Sequence, residues 1–288
     1  MLEVNEISKK YSSKNVLDNI SFELKQGVTA LLAPNGYGKT TLLKLLATIE
    51  KPSSGSITYE GKDIFLLDDK YRDIIGYLPQ KVGFYKDWTG LENLEYLATL
   101  KGIKKDIASK RINNWLKVFN LEKDCKKKVK AYSGGMIRRL GIIGALLNDP
   151  LILLLDEPSA GLDPKERKNL KSILSQLGKT KSILISTHIT ADIEFLANNI
   201  ILLDKGSIIY SGSQENISRM IKGDAYEVDI LEKDYYNFIN KFLILEERSD
   251  LDSIKVKFFS YSSPSFNAKK VGLNLNDIFL ILYGKDIN

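Results

Sequence analysis

The chain carries one cysteine, Cys125, and one histidine, His188, among 288 residues. A single thiol excludes an internal disulfide and fits a cytosolic setting. No apolar run approaches the ~20 residues needed to span a bilayer. The longest, LILLL at 151–155 and IFLIL at 278–282, are strand- or helix-sized. The opening MLEVNEISKKY has charges where an export signal needs an apolar run, so no such signal is expected. Internal repeats and low-complexity segments are also missing. What remains is an ordinary globular composition, 43% hydrophobic and 27% charged. The length suits one large domain, or one domain plus a smaller one.

Charge is unevenly spread. Between 101 and 130, eleven lysines and arginines stand against three acids, an excess larger than the whole chain's formal +6. Such a run can be a solvated helical face, or a patch that attracts nucleic acid or an anionic membrane surface.

LEVNEISKKY and VLDNISFELK alternate as an antiparallel strand pair would. VTALLA (28–33) reads as a short buried strand that runs into a Pro-Asn-Gly turn, and KTTLLKLLATI (39–49) has helical periodicity. SITYE (56–60) and IIGYLP (74–79) are strand-like, and the pattern turns helical from about 88 to 148. LILLLD (151–156) and SILIS (182–186) are continuous apolar runs of the kind found in buried parallel strands. A helical stretch, 164–177, separates them. NIILLDKGSIIYSG (199–212) reads as a hairpin. Strand–helix alternation around buried strands predicts an α/β core. After Ile221-Lys222-Gly223-Asp224 the composition shifts, which predicts a main domain over 1–222 and a small accessory region over 223–288.

LLAPNGYGKTT (31–41) is the segment with chemistry in it. A loop between a buried strand and a helix points backbone N–H groups and the positive end of a helix dipole at a phosphate. Gly36 and Gly38 allow close backbone approach, Lys39 can reach β- and γ-phosphates, and Thr40 can offer its hydroxyl to Mg²⁺. Asn35, Tyr37 and Thr41 belong to the same nucleotide-binding loop. The pattern G-x-x-x-x-G-K-[ST] lacks its first glycine, because Ala33 stands there. At a strand end a negative φ accepts a methyl group, so Ala33 is expected at negative φ. The complementary half of such a site is an acid at the end of a buried strand. In LILLLDE, Asp156 can hold the metal and Glu157 can orient and polarise the attacking water.

Three more segments make the pattern specific: AYSGGMIRRLGIIGALLNDP (131–150), SAGLDP (159–164) and STH (186–188). Together with the loop and LILLLDE, this set resembles the nucleotide-binding subunit of ATP-binding cassette (ABC) transporters over residues 1 to 220. The resemblance implies a P-loop ATPase core of mixed or parallel sheet with helices. It also implies an antiparallel β subdomain, an inserted helical subdomain over about 84–148, and a small C-terminal α/β extension. YSGGM occupies the place of the family's signature, usually Leu-Ser-Gly-Gly-Gln. Its core is Ser133, Gly134 and Gly135, and Tyr132 and Met136 depart from the commonest form. The resemblance implies that this segment closes over the γ-phosphate bound by another subunit. It further implies that Gln80 senses Mg²⁺ and water, that Asp163 lies at the dimer interface, that Tyr11 stacks on adenine, and that His188 contacts the γ-phosphate. Tyr37 stands where the family usually has a small side chain; its ring either lies near the closing dimer face or turns into its own domain.

The family resemblance implies ATP and Mg²⁺ as cofactors and two subunits head to tail around two ATP molecules. An identical second chain is expected, with a heterodimer as the alternative. With no membrane span, the chain is expected to serve a separate transmembrane permease from the cytoplasmic face of the membrane. VGFYKDWTGLENLEYLATLKGI (82–103), YSGGM and the tail LNLNDIFLILYGKD (273–286) resemble the export branch, for a drug, antimicrobial peptide or lipid-like substrate. Import stays open, as do a regulatory ATPase without a transported substrate and a soluble ABC ATPase acting on nucleic acid or ribosomes. No second cassette and no long coiled coil supports the last of these, so no nucleic-acid partner is expected.

Overall fold

The alternating N-terminal segments pair as β1 (Leu2–Tyr11) and β2 (Lys14–Leu24) in the computed structural model, which describes residues 1–249 and 253–284. β3 (Gly27–Leu32) is buried along nearly its whole length and leads into α1 (Lys39–Leu46). β4 (Ser54–Tyr59) pairs antiparallel with β1, and the two-residue β5 (Lys62–Asp63) completes a four-stranded sheet in the order β2-β1-β4-β5. Leu42, Leu43, Leu45 and Leu46 of α1 are buried in one core cluster with Leu31, Ile57, Leu154 and Leu184. Each such leucine contributes about 1.5–3 kcal/mol through removal from water.

Next come α2 (Ile64–Leu67), α3 (Asp69–Ile74), β6 (Ile75–Leu78) and three longer helices, α4 (Gly90–Leu100), α5 (Lys105–Val118) and α6 (Gly134–Leu146). Thr89 starts α4 through a capping box: its hydroxyl accepts from Glu92 N–H, and Glu92 accepts from Thr89 N–H. The lysine-rich run lies here and is partly tied down. Lys101 Nζ donates to Asn148 Oδ1 at 3.0 Å, Arg111 Nη1 donates to the Leu147 carbonyl at 2.8 Å, and Lys130 pairs with Asp87 at 2.8 Å.

β7 (Ile152–Asp156), α7 (Pro164–Gly178), β8 (Ser182–Thr187), β9 (Asn199–Asp204) and β10 (Ser207–Ser213) follow. They build a six-stranded sheet in the order β10-β9-β3-β8-β7-β6. β3 is parallel to β8 and β9, β8 to β7, and β7 to β6. The carboxyl ends of β3, β8, β7 and β6 therefore lie side by side, where open α/β sheets place their ligands.

The chain divides into two compact units between Ser211 and Gly212, ahead of the composition shift at 221–224. The reason is local: the 3₁₀ turn Gln214–Met220 packs on the C-terminal helix of the second unit. That unit comprises β11 (Asp224–Leu231), α8 (Glu232–Ile239), β12 (Leu243–Ser249), β13 (Ser253–Ser260), β14 (Lys269–Val271) and α9 (Leu275–Tyr283). Its antiparallel sheet has the order β12-β13-β11-β14. Tyr226, Ile230, Val256 and Phe258 face α8, and Ala225, Leu245 and Phe259 face α9, as period-two alternation requires. Residues 285 and 286 of the tail stretch 273–286 lie outside the described residues.

Candidate active site

Ala33 follows β3 with its methyl fully buried in the core and its φ negative, as expected. The chain then turns through Gly36 (φ 84) and Gly38 (φ 99), a left-handed backbone that a side chain strains. A Cβ at residue 38 would also meet Leu17 Cδ2 at 2.7 Å and the Val16 carbonyl at 3.0 Å. The loop thus delivers the first turn of α1 to the carboxyl edge of the sheet.

Lys39, at the start of α1, is buried. Its ammonium donates to the carbonyls of Ala33 (2.7 Å) and Pro34 (3.1 Å) and lies 3.7 Å from Glu157 Oε1. Burial pushes its pKa below the ordinary lysine range, and it outweighs the opposing attraction of Glu157 and Asp156. Thr40 Oγ1 donates to Asp156 Oδ2 at 2.8 Å, and Ser186 Oγ donates to the other oxygen of the same carboxylate. Glu157 follows Asp156 in a left-handed conformation (φ 51). Its N–H is held by the Ser186 carbonyl at 3.0 Å, which fixes a backbone geometry of the kind that clusters at functional sites. His188, just past β8, brings Nδ1 to 2.9 Å from Glu157 Oε1 while its ring stays largely exposed.

These groups surround a cleft of about 220 Å³, whose walls include Asn35, Gly36, Lys39, Thr40, Gln80 and Glu157. Gly38, Thr41, Asp156 and Val16 complete it. Three strand ends thus supply one cleft, the loop after β3, the two acids at the end of β7 and Gln80 after β6, while His188 after β8 meets it through Glu157.

Tyr37 takes the second of the two places expected of its ring. Its side chain is no part of that wall; the ring is half-buried against the core cluster of its own unit. Tyr37 stands between two left-handed glycines, Gly36 and Gly38. Tyr11 lies outside the wall as well, with its ring 41% exposed. Its hydroxyl donates to Glu50, and Lys9 Nζ sits 5.0 Å from the ring centroid.

Ser133, Gly134, Gly135 and Asp163 are also away from the cleft. Ser133 caps α6, accepting from Met136 N–H at 3.2 Å. Asp163 caps α7 in a capping box with Glu166. Arg139 of α6 reaches Glu166 at 2.7 Å and joins the two helix starts.

Two residues of the site were missed by sequence reasoning. Ser186 stands inside the quoted STH segment, on the β8 register position opposite Asp156. Arg138 of α6 is 95% buried and donates through Nη1 to the carbonyls of Pro79 (2.7 Å) and Gln80 (3.1 Å). Its Nε and Nη2 have no hydrogen-bond partner among the described residues. Burial lowers its pKa, against the pull of Asp156 and Glu157.

The geometry agrees with what the chain is similar to. Residues 17–160 match the family described as ABC transporter. The linearmycin resistance ATP-binding protein LnrL of Bacillus subtilis is 34% identical over 78% of this chain and 73% of that protein. The probable sulfate/thiosulfate import ATP-binding protein CysA of Chlorella vulgaris is 38% identical over 75% of this chain and 92% of its own length. Among solved structures, a dimeric post-hydrolysis state of an ATP-binding cassette bound to ADP and Pi superposes with a TM-score of 0.68. It is 27% identical, over 74% of this chain and 98% of the other.

Proposed function

Because the chain belongs to the ABC transporter family as an ATP-binding subunit and is an ATPase, we propose that it dimerises head to tail on ATP and drives a separate membrane-spanning partner, in the direction of export. One observation carries the site assignment: Lys39, Thr40, Gln80, Asp156 and Glu157 converge from three strand ends on one cleft, and His188 is hydrogen-bonded to Glu157 at its edge.

In this reading Lys39 turns from the carbonyls of Ala33 and Pro34 to the β- and γ-phosphates, and the backbone N–H groups of residues 35–41 cradle them. Glu157 takes the proton of the attacking water, and His188, hydrogen-bonded to that carboxylate, orients it and touches the γ-phosphate. Tyr11 supports the adenine ring.

Mg²⁺ suits the donors present. Thr40 and Asp156 offer oxygens 2.8 Å apart and Gln80 stands in the same wall, yet the described residues hold no group of three or more His, Cys, Asp or Glu that could cage a metal. A cation that keeps waters and binds through one carboxylate plus substrate phosphates matches such a site. When bound, it neutralises charge on the phosphates.

Ser133, Gly134, Gly135 and Asp163 face the second subunit, so two chains complete two sites. No helix among the described residues is long and apolar enough to cross a membrane; in this reading a separate permease supplies the span and the chain works on its cytoplasmic face. The likeness to a linearmycin resistance ATP-binding protein and the YSGGM segment favour export of a drug, antimicrobial peptide or lipid-like compound. The test is reconstitution with the co-purified membrane subunit in vesicles. ATP-driven movement away from the ATPase face supports export; movement toward it assigns import, as for the sulfate/thiosulfate relative.

A further inference from the structure

We propose that the C-terminal unit takes up an extended segment of a different protein as a fifth strand, added to the free edge of β11.

β13 pairs with β11 along its full length, from Asp224 to Leu231. On the other side β14 is only three residues long and reaches Ala225, Tyr226 and Glu227 alone. From Val228 to Leu231 the outer edge of β11 has no strand neighbour, and no backbone hydrogen bond from the described residues reaches it. An uncovered edge of this kind is a template for strand addition.

A groove of about 530 Å³ runs beside these four residues, within the range of ligand sites. Phe238, Phe242 and Phe266 wall it, with ring centroids 4.8 to 5.9 Å apart. Leu231 and Phe266 are 52% and 39% exposed, and α8 buries none of its own residues. An added strand sends alternate side chains to opposite faces. One set would enter the aromatic groove beside Val228 and Ile230; the other would emerge beside Asp229.

Charge selects the occupant. Asp229 and Asp234 line the groove, where Lys241 is the one lining cation; Lys255 stands opposite Asp229 on β13, yet neither acid joins a salt bridge among the described residues. A second copy of this chain would bring both acids of each copy to one seam, where like charges repel. A segment in which apolar residues alternate with lysine or arginine satisfies both the groove and the acids.

The probe is a capped, fluorescein-labelled eight-residue peptide of alternating valine and lysine, titrated into the full chain and read by anisotropy and amide hydrogen exchange. Saturable binding that protects amides within 228–231 is expected. N-methylation of the peptide backbone at alternate residues should weaken it by about 10-fold, since two or more hydrogen bonds are lost. Asp229→Lys should weaken it by about 5-fold or more through the lost cross-strand pair, with ATP turnover unchanged. Binding that survives N-methylation, that leaves 228–231 unprotected, or that a valine–glutamate peptide reproduces overturns the proposal. So does an ATP-independent dimer of the chain that Asp229→Lys disrupts, which would give the edge to a second copy.

Discussion

His188 Nδ1 and Lys39 Nζ approach the same oxygen of Glu157, at 2.9 and 3.7 Å. A buried carboxylate is thus framed by two groups, and the role proposed for it can be isolated by removing charge while keeping shape. Glu157→Gln should retain ATP binding and trap an ATP-bound dimer. Phosphate release should fall by about 10²–10⁴, the usual worth of a positioned general base. Light scattering with ATP and a phosphate-release assay check both halves, and unchanged turnover would remove Glu157 from this role.

Lys39 is held folded at a cost. Because burial lowers its pKa, folding disfavours the ammonium, so at neutral pH the charge opposes stability and a neutral side chain of like length does not. Lys39→Met removes that penalty but also leaves the buried Glu157 carboxylate without its cation, so the melting temperature should change little, while ATP affinity falls by about 30-fold or more. A loss of thermal stability together with intact ATP affinity would contradict both statements.

Tyr11 offers two handles, the ring and the hydroxyl bonded to Glu50. Stacking on a base is worth about 1–3 kcal/mol, so Tyr11→Ala should weaken ATP binding by about 5- to 100-fold. Tyr11→Phe keeps the ring and should bind ATP within about twofold of the unchanged chain. If phenylalanine is as poor as alanine, the link to Glu50 matters and adenine stacking does not.

Arg138 ties α6 to the Gln80 loop through two carbonyls. A buried charge replaced by a well-packed apolar chain is often tolerated, so Arg138→Met should keep the fold. The loosened Gln80 should lower turnover by about 10-fold, within the range that misplacement costs, with KM for ATP nearly unchanged. Steady-state kinetics beside a melting curve read this directly.

Much of this site was legible in the sequence because its parts are local. A strand end, a glycine loop and a helix start are contiguous in LLAPNGYGKTT, and Asp156 and Glu157 follow a run of buried residues that cannot be anything but interior. Ser186 and Arg138 were illegible for the opposite reason. Ser186 meets Asp156 only across a strand register, and Arg138 meets Pro79 and Gln80 from nearly sixty positions away. For Tyr37 the sequence left two places open, and only the packed core cluster selects the ring's own domain. The division at Ser211 was hidden because 214–220 looks like a linker until α9 is there to receive it.

The bond between Arg139 and Glu166 has a wider consequence. It fastens the helix that begins at Ser133 to the helix that begins at Asp163, both ends of the pair being mostly shielded from water. Neither helix start can swing without dragging the other or breaking that contact. In a two-fold assembly, each chain would present these two elements as one plate. Release at one of the two nucleotides would then be felt at the other, and the pair would cast a single vote on whether the assembly stays shut.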